Sequence, residues 1–194
     1  IREIHHRVKN NLQTVSALLR LQSRRSSEDA VKVALAEAER RVQAIATVHA
    51  ALSQNVDESV DFDEVARTIV RMAGAIASTD HGVEVITTGN FGTISADQAQ
   101  ALATVLNELV ANSVEHGLAD RDGRIEVNAQ RKGLSMTVTV ADDGVGFVPG
   151  TPMTGLGTQI VQQMVRGELR GSIEWAPREG GGTLVTLLIN LDAA

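Results

Sequence analysis

The chain contains no cysteine, which excludes disulfides and thiolate chemistry and fits a reducing, cytoplasmic setting. Aromatic residues are almost missing: three Phe and one Trp in 194 residues. The core of a chain that is 43% hydrophobic must therefore be built from Ala, Val, Leu and Ile. No run of about 18 apolar residues occurs, so the sequence holds no membrane span. Positive charge is in deficit, 18 Lys and Arg against 24 Asp and Glu, giving −6. That balance argues against direct nucleic-acid binding. There is no internal repeat and no low-complexity tract. The first residue is Ile and no signal-peptide pattern follows, so the chain is expected to be a piece of a longer protein whose input region lies elsewhere.

What is present begins with two long helical patterns. Ile4, Val8, Leu12, Val15 and Leu19 form one stripe on a helix. Arg24, Arg25, Ser26 and Ser27 interrupt it, and a serine there can cap the next helix. Val31, Leu35, Ala38, Val42, Ile45, His49 and Leu52 then make a heptad seam with one polar interruption. A lone helical hairpin leaves apolar surface uncovered, so two copies are expected to pair as a dimeric four-helix bundle. Residues 1–54 form this hairpin, 55–60 a polar, acidic linker, and 61–194 a second domain. Within the second domain, helices are expected over 62–77, 95–116 and 155–168, with Ser95 as a cap. Strands are expected over 83–88, 124–130, 135–141, 172–176 and 183–190, with Lys132 and Gly133 turning one hairpin. The fold class is α+β, a helical hairpin followed by a two-layer α/β sandwich.

Five segments carry chemistry. A helical residue advances by about 100°, so His6 lies opposite the first stripe while His5 sits at its edge. His6 is thus the displayed imidazole and the candidate nucleophile. Asn10, one turn on, can hydrogen-bond the ring or an incoming phosphoryl group. Arg7 and Lys9 add positive charge. A polar helix start without chemistry explains the same residues equally simply. Glu108 and Asn112 are four apart on the polar side of an amphipathic helix, suited either to a hydrated magnesium ion or to plain solvation. Asp142, Gly144 and Gly146 follow a strand. A carboxylate there can accept from the adenine amine while the glycines let the backbone approach the base, although Asp-Asp-Gly is also an ordinary turn. Gly155, Leu156 and Gly157 open a helix whose amide end suits phosphates. Gly180, Gly181 and Gly182 precede Thr183, whose hydroxyl can reach adenine.

These segments together resemble a sensor histidine kinase. The second domain is similar to the Bergerat-type ATP-binding fold shared by gyrase, Hsp90-type chaperones, histidine kinases and MutL. Glu108 and Asn112 match its N box, Asp142, Gly144 and Gly146 its G1 box, Gly155, Leu156 and Gly157 its G2 box, and Gly182 and Thr183 the terminal Gly-Thr. The run from His5 to Gln13 resembles the phosphoacceptor helix of the HWE-related class, and the resemblance covers nearly the whole chain. It implies ATP and Mg2+ as cofactors, with Asn112 on the metal and Asp142 on adenine. It implies phosphorylation of His6, transfer to an aspartate of a response regulator receiver domain, and a homodimer. Glu108 is then the first candidate for the general base and Glu3 the second. Arg7 follows the histidine where common members carry an acid. Glu115 stands at the usual N-box lysine position, and His116 beside it is the candidate phosphate contact. The Trp-x-Glu feature of the strict class is missing, and the lid between Phe147 and Gly155 is very short. Two other readings are a nucleotide-binding pseudokinase scaffold and an anti-sigma-type serine kinase.

Overall fold

The first apolar stripe folds as helix α1 (Arg2–Arg25) and the heptad seam as α2 (Asp29–Leu52), which returns antiparallel to it. The computed structural model describes residues 2–54, 59–77, 82–119, 121–150 and 155–192. The turn serines do not cap α2 through its N-cap position. Glu28 occupies that position without a side-chain bond, and Ser26 Oγ accepts from the Glu28 amide at 3.2 Å. A polar layer sets the hairpin register: Gln43 Nε2 donates to Ser16 Oγ at 2.6 Å, and Arg20, exposed, pairs with Glu39. The α1 stripe is only partly covered, because Ile4 is 62% and Val15 42% exposed.

Helix α2 has a second buried face that the heptad pattern does not reveal. Arg40, Ala44, Val48 and Leu52, spaced by four, are all buried. They face the second domain, where α2 packs on α3 and α4.

That domain is a five-stranded sheet with helices on one face, as the sequence implies. Strands β2 (Val83–Gly89), β4 (Gly123–Lys132), β5 (Ser135–Asp142), β7 (Thr183–Asn190) and β6 (Ser172–Pro177) lie in the order β2-β4-β5-β7-β6. Only β2 and β4 are parallel; the other pairs are antiparallel. Alternation buries Ile125, Val127 and Ala129 of β4 and Met136, Val138 and Val140 of β5 on a single face. Helices α3 (Phe62–Ala77), α4 (Ala96–Asn112) and α5 (Leu156–Arg166) belong to the helical layer. Ser95 caps α4, accepting from the Gln98 amide at 3.4 Å.

Two features are absent from the sequence reading. Ser59–Asp61 (β1) and Thr93–Ser95 (β3) pair as a small antiparallel ribbon, so the strand structure begins at residue 59, inside the expected linker. The linker's residues 55–58 lie outside the described residues, as does His81. Helix α4 also does not run straight to residue 116; after Asn112 it widens into a π turn at Ser113–Gly117.

Candidate active site

Strand β5 ends at Asp142, which is 3% exposed at the floor of a cavity of about 510 Å3. Its Oδ1 accepts from the Gly144 amide at 2.9 Å and the Thr183 amide at 3.2 Å. The other carboxylate oxygen makes no bond among the described residues and remains free for a ligand. Glycines make this floor possible. A Cβ on Gly144 would stand 2.1 Å from the Gly117 carbonyl oxygen, and one on Gly182, at φ +95°, 2.0 Å from the Asp142 carbonyl oxygen. Adjacent Asp143 has a different task, accepting from the Arg124 amide at 2.7 Å and so tying the β5 end to β4. Trp175 and Val185 complete this end of the cavity wall.

Glu108 is 3% exposed on α4, and its carboxylate holds a bidentate pair with Arg41 of α2. The distances are 2.8 Å from Nε to Oε1 and 3.0 Å from Nη2 to Oε2. This hydrogen-bonded pairing raises the Arg41 guanidinium above its usual range. One turn on, Asn112 lines the same cavity, and its side chain has no hydrogen bond among the described residues. The π turn then supplies Glu115 and His116 to the lining. Glu115 pairs with Arg40 of α2 at 3.0 Å.

The opposite rim is the start of α5. Gly155, at φ +136°, gives no side-chain cap, so the first amides of the helix are left for a ligand. Gly155, Gly157 and Thr158 line the cavity. A Cβ on Gly157 would stand 2.6 Å from Glu108 Oε2, so this glycine lets α5 approach the carboxylate. Residues 151–154 of the expected lid lie outside the described residues.

The cavity therefore gathers Glu108, Asn112, His116, Asp142, Gly146, Gly155, Gly157 and Thr183 from the expected set. Gly144 lies beneath it against Gly117, and Leu156 is 61% exposed outside the lining. His6 and Asn10 are exposed on α1 and do not line the cavity. His5 is partly covered, its Nδ1 lying 3.1 Å from Nδ1 of His49. Burial first, and His5 second, lower the His49 pKa below its ordinary value. Glu3 pairs with exposed Arg7 at 2.6 Å. Sequence reasoning missed Glu37, Arg40, Arg41 and Trp175 in the lining. The four-residue spacing of Arg40, Ala44, Val48 and Leu52 was the available signal for Arg40.

Residues 97–193, half of the chain, match the family described as histidine kinase-, DNA gyrase B-, and HSP90-like ATPase, and residues 3–76 match a histidine kinase family. The chain belongs to the histidine kinases. It carries the core of a two-component sensor kinase, and the match of the hairpin sets aside the serine-kinase reading. The sensor histidine kinase PdtaS of Mycolicibacterium smegmatis is 45% identical over 97% of this chain, and PdtaS of Mycobacterium tuberculosis 44% identical over the same share. A blue-light-activated histidine kinase of Rhizobium johnstonii is 29% identical over 89% of the chain. This kinase chain spans 39% of the length of the two PdtaS relatives and 48% of the third. The histidine kinase domain of the blue-light activated kinase EL346 of Erythrobacter litoralis has the same fold. Its TM-score is 0.73 at 20% identity, covering 97% of this chain and 94% of that one. Among the described residues no helix is long and apolar enough to cross a membrane.

Proposed function

We propose that this kinase core uses Mg-ATP to phosphorylate His6 and passes the phosphoryl group to an aspartate of a response regulator receiver domain. The observation that carries the reading is the cavity itself. One wall holds a buried carboxylate with a free oxygen for the adenine amine, and the opposite rim offers the amides of α5 to phosphates. Gly146 and Thr183 line the cavity with Asp142 as the contacts for the base, and His116 lines it as the candidate phosphate contact. Asn112, with an unused side-chain amide, would hold a magnesium ion that keeps most of its water. No group of three or more acidic or imidazole side chains able to hold a metal occurs among the described residues. A closed protein cage is therefore not the expected mode, and the ion would supply charge neutralisation.

The chemistry balances simply. A lone pair on His6 forms the bond to the γ-phosphorus, the bond to the β–γ bridging oxygen breaks, and ADP leaves. The proton on the other ring nitrogen goes to a carboxylate, for which Glu108 is the first candidate and Glu3 the second. Glu108 is paired with Arg41 and Glu3 with Arg7, so either carboxylate must leave its arginine before it accepts the proton. Asn10, exposed one turn from His6, is the candidate for orienting the ring or the phosphoryl group. A homodimer is supported by Ile4, Val15, Leu18, Leu21, Val31 and Val33, apolar side chains 39–62% exposed on the hairpin.

The test is labelling from γ-labelled ATP. Acid-labile, alkali-stable label should vanish in His6→Gln and persist in His5→Gln. Label that survives loss of His6 would overturn the site. Tight ATP binding with no label on the full protein would favour a scaffold.

A further inference from the structure

The charges lining the nucleotide cavity are distributed unevenly between the two domains. Among the described residues the sandwich contributes three carboxylates to the lining, Glu108, Glu115 and Asp142, and no lysine or arginine. The whole stretch 143–158, which includes the lid and the entry to α5, contains neither residue. His116 is the sandwich's single titratable nitrogen in the lining. A triphosphate entering such a wall would meet net negative charge. Among the described residues the only guanidiniums in the lining, Arg40 and Arg41, come from α2 of the hairpin, which also brings Glu37, 3.5 Å from Arg41.

Both are built in rather than draped over the rim. Arg40 is 7% exposed. Its Nη1 lies 3.0 Å from Glu115, and its Nε is buried with no partner among the described residues. Arg41 lies against Glu108 with its side chain 18% exposed. Buried arginines next to a concave surface can turn their planar forks to phosphate as readily as to carboxylate. We propose that Arg40 and Arg41 form the cationic half of the triphosphate site, so that the hairpin completes nucleotide binding. This inference rests on the reading of the cavity as an ATP site. When the polyphosphate arrives, Arg41 exchanges Glu108 for phosphate oxygen, and Glu108 becomes free to accept a proton. Arg40 keeps Glu115 as an anchor and offers its remaining donors. Both side chains contact the polyphosphate directly.

The experiment measures ATP and adenosine affinity in the full chain, through Trp175, the single tryptophan, which lines the same cavity. Arg40→Met should weaken ATP by at least about tenfold, the loss expected for a charged hydrogen bond. Adenosine should stay within about twofold, which also reports that the variant is folded. Arg40→Lys should recover part of the ATP affinity. To separate phosphate contact from simple neutralisation of a neighbour, Arg40→Met is combined with Glu115→Gln and Arg41→Met with Glu108→Gln. Weak ATP binding in both double variants supports the proposal. Wild-type ATP affinity in the double variants, or equal losses for ATP and adenosine, overturns it. Wild-type protein that binds no ATP would defeat the kinase reading as well, an outcome distinct from arginine variants that bind normally.

Discussion

Replacing Asp142 by Asn separates the two jobs of one carboxylate. Oδ1 holds the floor of the cavity together through the Gly144 and Thr183 amides, while the other oxygen faces the ligand. An asparagine can keep its carbonyl oxygen on both amides and place its NH2 where the free oxygen stood. The structural cost is then the loss of charge assistance in two hydrogen bonds, about 1–2 kcal/mol in all. For a chain of this size that lowers the melting temperature by about 2–8 °C. The binding cost is larger. An acceptor facing the adenine amine becomes a donor facing a donor, so a charged hydrogen bond worth about 1.5–3 kcal/mol is lost. ATP affinity should fall between about tenfold and somewhat over a hundredfold. The same swap turns the floor towards a base with a carbonyl oxygen at that position, so the preference for ATP over GTP should narrow. Calorimetric titration with both nucleotides, beside a thermal melt, reads all three quantities. Unchanged ATP affinity in a folded variant would refute the assignment. A melting temperature lowered by more than about 15 °C would show that Asp142 acts mainly in the fold.

Other perturbations follow from single contacts. Asn112→Ala should abolish the dependence of phosphoryl transfer on added Mg2+ together with most of the transfer, and full magnesium-dependent labelling would show that the ion is held elsewhere. Gly157→Ala pushes a methyl to 2.6 Å from Glu108 Oε2, so it should break the pair with Arg41 and cost about 1–3 kcal/mol in thermal unfolding; an unchanged melt would mean that α5 has room to move. His49 has a pKa lowered below 6.5, chiefly by burial. Protonation therefore favours the unfolded chain, and the contribution is complete above about pH 6.5 and lost as pH falls through the folded-state value. Circular dichroism melts from pH 7.5 to 5 should show this acid loss, and His49→Gln should flatten it; identical slopes would dismiss the histidine pair as its source.

The long elements were legible because each repeats a pattern over many residues. The stripe of α1, the seam of α2 and the alternation of β4 and β5 all fold where their periods place them. The ribbon of β1 and β3 was not legible, since three residues cannot display a period. The π turn was hidden because its sequence passes for continued α-helix. Asp142 and Glu108 could be picked out as polar residues in special local settings. Arg41 could not, because its partner Glu108 lies 67 residues away and the heptad seam assigned α2 only one working face. Trp175 escaped notice as one strand residue among many, although its cross-strand neighbour is Val185 in the same wall.

The widened turn at Ser113–Gly117 gives the length of α4 an unexpected importance. The wider loop brings the Gly117 carbonyl to within 3.0 Å of the Val145 amide, joining the helix end to the strand end across the cavity floor. Deleting one residue there would restore a regular helix and swing everything after it by about 100° around the axis. The helix end and the strand end would then lose their common anchor. The joint therefore fixes a residue count as well as a residue type, since a Cβ on Gly117 itself would stand 3.0 Å from Asp142 Oδ1.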